Sequence, residues 1–138
     1  MPTRFGNVSA QLKQFIEQAG TLWQRRVLVH KVATAFTSSQ TSRGEKSTML
    51  ALNNTFYHSR MLIPSLGYTD DEVFAASGNS DGTSFTADHV VTGPHQQALA
   101  VARYQGHRLA SYAAVGDGRR REASPVKRPP AQSFPTGR

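Results

Sequence analysis

The stretch "KVATAFTSSQTSRGEKSTML", residues 31–50, decides the fold. Its first six residues form a short apolar, β-branched run between polar flanks, which is typical of a strand buried on both faces of a parallel sheet. A polar loop follows, and then Met49, Leu52 and Phe56 recur at helical spacing behind Glu45, whose charge suits the start of a helix. The stretch therefore predicts a strand, a loop and a helix in succession, with the strand at residues 31–36.

A further helix is predicted on each side of this unit. Ser9 is a suitable N-cap for a helix from about Ala10 to Ala19, with Trp23 as the alternative end. Pro94 suits the first position of a C-terminal helix whose apolar residues recur at helical spacing until it ends near Gly116. The C-terminal helix is amphipathic.

A second short apolar run and a long polar segment separate the last two helices. The run from Met61 to Ile63 ends at Pro64, so it is expected to be a strand only in its last part or at a sheet edge. Residues 66–93 are rich in Gly, Ser, Asp and Thr and predict a long excursion. Alternating strands and helices predict an α/β fold with a parallel sheet, for which two strands are too few.

The positive charge belongs to the end of the chain. The 138 residues carry a formal charge of +7, but residues 119–138 hold six basic residues and one acid, which leaves +2 for the first 118. Four of the seven prolines also lie there. The composition predicts one domain over residues 1–116 and a disordered, basic, Pro-rich tail over 117–138.

The composition also bears on several classes of function. The absence of cysteine excludes a disulfide framework, a thiolate metal site and a cysteine nucleophile. The sequence has no apolar run near the length of a membrane helix and no signal-peptide pattern at its start. The spacing of the histidines predicts no metal site. We expect a cytoplasmic protein without a membrane partner.

Several segments resemble one family in the same order along the chain. They are "PTRFGNVSAQLKQFIEQAGTLW" (residues 2–23), "ATAFTSSQTSRGEKST" (33–48), "LNNTFYHSRM" (52–61) and "ARYQG" (102–106). They resemble the WrbA-type, or tryptophan-repressor-binding-protein, family of flavodoxin-like FMN-dependent NAD(P)H:quinone oxidoreductases. The resemblance runs from residue 2 to about 114.

The resemblance implies a five-stranded parallel sheet with helices on both faces, in a homo-oligomer that is a tetramer in the family. It covers only the C-terminal part of that fold, with about two of the five strands. The first three strands, the first two helices and the phosphate-binding loop are expected to be absent from this sequence. Met1 would then be an internal methionine, as a shortened gene or a misassigned start codon would produce.

The resemblance also implies an FMN site made by two loops. In the first, Thr3, Arg4, Phe5 and Gly6 would lie along the flavin ring; from the residues alone, this is an ordinary loop. In the second, the flavin contacts would be Ser38, Ser39, Gln40, Thr41, Ser42 and Arg43. The residue-level alternative for the second loop is helix capping. The family often has glycine where this chain has Gln40, Ser42 and Arg43, so we expect these side chains to narrow the site.

Two further residues are implied in the site. His58 matches a histidine near the flavin, and its alternative is an exposed residue at a helix end. Trp23 matches an aromatic residue at the substrate pocket, where a flat quinone stacks, and its alternative is core packing.

The activity implied is hydride transfer from NAD(P)H to FMN and two-electron reduction of a quinone, with no catalytic residue required because the cofactor does the chemistry. Two other hypotheses stay open. One is an inactive, truncated remnant of such an enzyme with little flavin binding. The other is a nucleic-acid binder acting through the basic tail, which the near-neutral body makes the weakest of the three.

Overall fold

A computed structural model describes residues 1–41, 43–76, 79–87 and 93–122. A two-stranded parallel sheet lies among five helices, so the α/β class with a parallel sheet and flanking helices is confirmed. The elements in chain order are α1 (Ala10–Gln18), α2 (Gly20–Gln24), β1 (Thr37–Ser39), α3 (Glu45–His58), α4 (Asp71–Ala76), β2 (Ser84–Thr86) and α5 (Gln96–Glu122).

Residues 31–39 form one extended segment with two successive neighbours along the same edge. Near its start, Val32 bridges Leu62 in parallel, and the amide of Ala33 donates to the Leu62 carbonyl at 2.9 Å. Near its end, β1 pairs in parallel with β2, with Thr37 opposite Ser84. The chain between these neighbours, residues 63–83, therefore interrupts what would otherwise be one partner strand.

The opposite edge of this segment meets the start of the chain. Pro2 bridges Ser38 in parallel, and the amide of Thr3 donates to the Ser38 carbonyl at 2.7 Å. The amide of Ser38 donates in turn to the Met1 carbonyl at 3.0 Å. The residues just before the first predicted loop thus lie beside the residues at the start of the second.

The predicted positions of the strands are wrong. The apolar run at residues 31–36 contributes only the bridge at Val32, and the ladder forms farther on, at the more polar β1. The run at residues 61–63 contributes only the bridge at Leu62. A strand forms where a neighbouring backbone supplies hydrogen bonds, and the interruption at residues 63–83 moves that backbone to β2.

The predicted excursion and the C-terminal helix also need correction. Residues 66–93 contain α4 and β2 and so are not a plain loop. The last helix starts at Gln96 rather than Pro94 and continues to Glu122, six residues past Gly116. No proline lies between Gln96 and Pro125, so the ladder of helical hydrogen bonds can continue. The rest of the predicted tail, residues 123–138, lies outside the described residues.

The other two helix predictions are confirmed. Helix α1 starts at Ala10, and α2 continues past the alternative end at Trp23 to Gln24. Helix α3 carries Met49 and Leu52 inward, both buried. No helix within the described ranges is long and apolar enough to cross a membrane.

The core consists of two small apolar clusters. Ala35, Met49 and Leu52 join the extended segment to α3, while Leu66, Val73 and Val101 lie where α4 meets α5. Several large apolar side chains remain mostly exposed: Phe5, Phe15, Phe36, Tyr57 and Phe74. The single chain therefore leaves much aromatic surface in contact with water.

A buried glutamine of α5 connects the extended segment to the approach to β2. The Gln105 side chain is 4% exposed, and its amide nitrogen donates to the Ala35 carbonyl at 2.7 Å and to the Thr34 hydroxyl. Its amide oxygen accepts from the backbone amide of Thr83 at 2.7 Å and from the Thr83 hydroxyl. One side chain thus supplies hydrogen-bond partners for buried polar groups on two neighbouring stretches of the chain.

Candidate functional site

The two predicted loops line one cavity of about 670 Å³ at the carboxyl ends of the sheet segments. The volume lies within the usual range for small-molecule sites. Nine of the lining residues come directly from these loops, Pro2 precedes the first loop, and Ala87 follows β2. The lining residues are Pro2, Thr3, Arg4, Phe5, Gly6, Ser38, Ser39, Gln40, Thr41, Arg43 and Ala87.

A tight turn presents the first loop to the cavity. The backbones of Arg4 and Asn7 exchange two hydrogen bonds of 2.9 Å, and between them Phe5 and Gly6 have φ values of 50° and 72°. Positive φ at both central positions is typical of a type I′ turn and is strained for a bulky residue such as phenylalanine. The Phe5 side chain is fully exposed. Strain and exposure together are characteristic of a segment that meets a ligand or a partner.

Two glycines hold the first loop against the second. A Cβ atom on Gly44 would lie 2.8 Å from the Cα of Gly6 and 3.3 Å from the Thr3 methyl group. Gly44 has φ of 85° and lies immediately before α3. The Ser47 hydroxyl on α3 then donates to the Gly6 carbonyl at 2.8 Å. Only the absence of a side chain at Gly44 lets the two loops approach this closely.

A buried carboxylate lies behind the second loop. Glu45, the first residue of α3, is 8% exposed and accepts from the Ser39 hydroxyl at 2.6 Å and from the Thr86 hydroxyl at 3.2 Å. Its position suits the positive end of the helix dipole. The carboxylate thereby connects the residues that end β1 and β2 and fixes the wall of the cavity.

The start of the chain is also polar and partly buried. The Met1 amino group donates to the Phe36 carbonyl at 3.1 Å, and burial lowers the pKa of this amine from its usual value. The Thr37 hydroxyl donates to the Met1 carbonyl at 3.0 Å, and it lies 2.9 Å from the Thr3 hydroxyl. These contacts fix the base of the first loop. The described part of the chain contains no cluster of three or more potential metal ligands.

The other two predicted site residues lie together, away from the cavity. Trp23 donates its indole N–H to the His58 carbonyl at 2.8 Å, and the Arg60 guanidinium lies 5.8 Å from the centre of the indole ring. His58 is exposed at the last position of α3, and Trp23 is 40% exposed rather than in the core. A helix of 14 residues is about 20 Å long. The first residue of α3 contacts the cavity wall, so His58 lies at the far end.

The two loops that the resemblance implies line most of the cavity, but part of its support was not predicted. Every described residue of the two predicted loops lines the cavity, while Ser42 lies outside the described residues. Gly44, Ser47 and Ala87 were not anticipated. The glycine directly before Glu45 was the available signal for the first of these, since glycine is favoured where the backbone has positive φ or approaches another segment closely. The sequence around Ala87 gives no sign that this residue lines the cavity.

A protein-family model matches the part of the chain that carries both loops of this cavity. The model described as NADPH-dependent FMN reductase matches residues 1–72, which is just over half of the 138 residues. The matched part contains both loops of the cavity, Trp23, His58 and α1 to α3. With a parallel sheet and flanking helices in the same chain, this match shows that the protein belongs to the NADPH-dependent FMN reductase family, a group of flavodoxin-like, FMN-dependent oxidoreductases.

Proposed function

We propose that this protein acts as an FMN-dependent NAD(P)H:quinone oxidoreductase of the WrbA type. The observation that supports the proposal is the meeting of the two loops, 34 residues apart in sequence at Arg4 and Ser38, around one cavity. The family match supports the flavin and the nicotinamide reductant. The quinone as final acceptor rests on the resemblance of the quoted segments.

The residues of the cavity fit the ring of FMN. The glycine contact holds the two loops close together around the cavity, and the strained turn holds Phe5 and Gly6 at its edge. Hydroxyl and amide groups of the second loop supply polar partners for a heteroaromatic ring. The chemistry supplied by a bound FMN would be hydride transfer from NAD(P)H and two-electron reduction of the quinone.

The protein's own residues would position and stabilise the ring. Arg4 would favour negative charge on the reduced flavin, because a cation at the cavity lowers the energy of an anionic ring. Gln40 and Arg43, at positions where the family often has glycine, would narrow the opening. No side chain is required to act as an acid or a nucleophile in this reaction.

A homo-oligomer would account for the position of Trp23 and His58 at the far end of α3. Trp23 and His58 contact each other about 20 Å from the start of α3, so they reach an FMN in the cavity only if that cavity belongs to another copy. The exposed aromatic side chains would then be covered by other copies. In this arrangement Trp23 stacks against the quinone.

An FMN titration tests the proposal, with quenching of flavin fluorescence as the measure of binding and reduction of menadione by NADPH as the measure of activity. Micromolar or tighter binding and turnover are expected. Arg4→Gln should weaken both, because it removes the cation of the first loop. Lys13→Gln is the control, since Lys13 pairs with Glu17 on the exposed face of α1.

The alternative is an inactive remnant, and the small core with its exposed aromatic side chains favours it. A chain that cannot bury its apolar faces alone would melt without a cooperative transition and bind no flavin. Cooperative melting together with saturable FMN binding would contradict the remnant. Absence of both would overturn the proposed oxidoreductase.

A further inference from the structure

A second cavity, of about 330 Å³, lies at the other end of the extended segment. It is bounded by Val32 on that segment, by residues 62–65, and by Arg108 and Tyr112 of α5, and is called the α5 cavity below. Val32 and Ser38 lie six residues apart on the segment, which is about 20 Å at the rise of a β-strand. The α5 cavity shares no lining residue with the cavity of the two loops and is a separate site.

Most of the wall of the α5 cavity is apolar. Val32 and Leu62 form the parallel bridge near the start of the extended segment, and Ile63 and the buried Pro64 follow Leu62 in the lining. Leu62 is 53% exposed and Tyr112 is 49% exposed. A ligand with an apolar body would cover both side chains and remove their surface from water.

The α5 cavity also contains one cation, Arg108, whose guanidinium is held by two contacts. Its Nε donates to the Ser65 carbonyl at 2.9 Å, and its central carbon lies 5.4 Å from the centre of the Tyr112 ring. Neither contact uses the two terminal nitrogens, which carry most of the N–H donors of the group. No carboxylate of the described residues forms an ion pair with Arg108. The guanidinium is therefore fixed in position with its terminal fork available to a ligand.

The charges around the α5 cavity favour an anion. None of the described residues that line it is acidic. The amide of Leu62 donates to the Lys31 carbonyl at 2.8 Å, and the amide of His30 donates to the Arg60 carbonyl at 3.0 Å. These bonds bring two more cations, Lys31 and Arg60, to the same end of the extended segment. An anionic ligand would meet a favourable potential there.

We propose that the α5 cavity binds a small carboxylate with an apolar body. The fork of Arg108 would hold the carboxylate through two parallel hydrogen bonds, and the apolar wall with the Tyr112 ring would contact the body. A phosphate fits less well, because its further oxygens would need donors where the wall offers only carbon atoms. The inference does not rest on the proposed oxidoreductase, since the two cavities have no residue in common.

The experiment uses benzoate as the probe, with two relatives that each lack one feature. Benzamide keeps the ring without the charge, and acetate keeps the carboxylate without the ring. Each is titrated into the whole, isotope-labelled chain, and NMR chemical shifts of the backbone amides give the dissociation constant and the place of binding. Arg108→Gln and Arg108→Lys are compared with wild type. Arg103→Gln is the matched control, because Arg103 is exposed on the same helix and lies outside the lining.

Benzoate should bind wild type at least about tenfold more tightly than either relative, because each relative loses the charge-assisted bonds or the apolar contact. Arg108→Gln should weaken benzoate binding by about tenfold to a hundredfold, the effect of losing one or two such bonds. Arg108→Lys should recover only part of it, because lysine lacks the fork. Arg103→Gln should stay within about twofold of wild type, since an exposed charge outside the site is largely screened.

Several results would overturn the inference. Equal binding of benzoate and benzamide would remove the role of the charge, and equal binding of benzoate and acetate would remove that of the wall. These comparisons use wild type alone, so they stand even if Arg108→Gln loses stability with its bond to Ser65. Unchanged affinity in a folded Arg108→Gln, or shifts confined to the two loops of the other cavity, would also contradict it. So would inorganic phosphate that displaces benzoate at a lower concentration than benzoate itself requires.

Discussion

The two ends of α3 are built in different ways. At its start, the loops of the cavity are joined backbone to backbone, through the contact of Gly6 with Gly44 and the pairing of Pro2 with Ser38. At its other end, Trp23 is held by one indole hydrogen bond to His58 and by the nearby cation of Arg60. The cavity end has little freedom to change, whereas at the far end the exposed Trp23 is attached to α3 through its side chain.

This difference indicates what each end is for. A ligand cavity benefits from atoms that keep their positions before the ligand arrives, because ordering them on binding would cost affinity. An exposed aromatic residue on a loosely held end is better suited to contact another molecule. The family match covers both ends, and the fold separates them by the length of one helix.

Gly44→Ala tests the close contact at the cavity end of α3, where the largest loss of stability is expected. The new Cβ would lie 2.8 Å from the Gly6 backbone, at a φ of 85° that alanine adopts poorly. Overpacking and backbone strain together should lower the free energy of unfolding by about 2–5 kcal/mol. Urea denaturation measures this. Gly20→Ala is the control, because its Cβ would meet nothing within 4 Å and the change should be neutral or stabilising. Equal effects would contradict the close contact.

Gln105→Leu tests the support beneath the cavity end. It leaves the Thr83 amide and the Ala35 carbonyl without the partner they now share. A buried group without a partner costs about 1–3 kcal/mol, and the loss of stability should be in that range. Gln97→Leu on the exposed face of α5 should change stability by less than about 0.5 kcal/mol. Similar melting temperatures for the two variants would argue against the buried glutamine network.

Trp23→Phe tests the far end, where a smaller effect is expected. Phenylalanine keeps an aromatic ring but removes the N–H that donates to the His58 carbonyl. The free energy of unfolding should fall by about 0.5–1.5 kcal/mol, the usual value for one hydrogen bond. Tyr57→Phe, at a residue 64% exposed on α3, is the control and should be close to neutral. A loss as large as that of Gly44→Ala would remove the distinction between the two ends.

Substitutions of Arg60 also test the far end of α3, and the smallest change in stability is expected there. Its φ of 59° is unfavourable for any residue except glycine, and its guanidinium lies 5.8 Å from the Trp23 ring. Arg60→Gly and Arg60→Ala both lose this cation–π contact, worth about 0.5–1 kcal/mol at an exposed site. Only glycine relieves the strain, so Arg60→Gly should be the more stable of the two by about 1 kcal/mol. Thermal denaturation gives the order, and the reverse order would contradict the left-handed conformation.

The three longer helices, α1, α3 and α5, were predictable from sequence because their signals are local, whereas the six-residue α4 within the predicted excursion was not. Helix α3 has its apolar residues at helical spacing and an acid at its start, and the structure places Met49 and Leu52 inward accordingly. The strands were not, since three residues such as 84–86 carry no period of their own. Their position depends on which backbone lies alongside, and that depends on how the interruption at residues 63–83 folds.

The cavity shows the same limit. The resemblance placed Thr3 to Gly6 and Ser38 to Arg43 in one site, and the described members of both loops line one cavity. The role of Gly44 was not predicted because its contact partner, Gly6, is 38 residues away in sequence. The separation of Trp23 and His58 from the cavity was likewise not predictable, since a sequence motif does not say how far apart its residues lie in the folded chain.

The interruption of the partner strand, residues 63–83, is a segment whose length can change at low cost. Its two ends are anchored on one extended segment, at Leu62 and at Ser84, so the chain between them leaves and returns at fixed points. The entropy of closing such a loop rises by only about 0.6 kcal/mol for each doubling of its length. Insertions at its exposed positions, away from the buried Leu66 and Val73, would change the outer surface while the sheet edge that carries the cavity keeps its geometry.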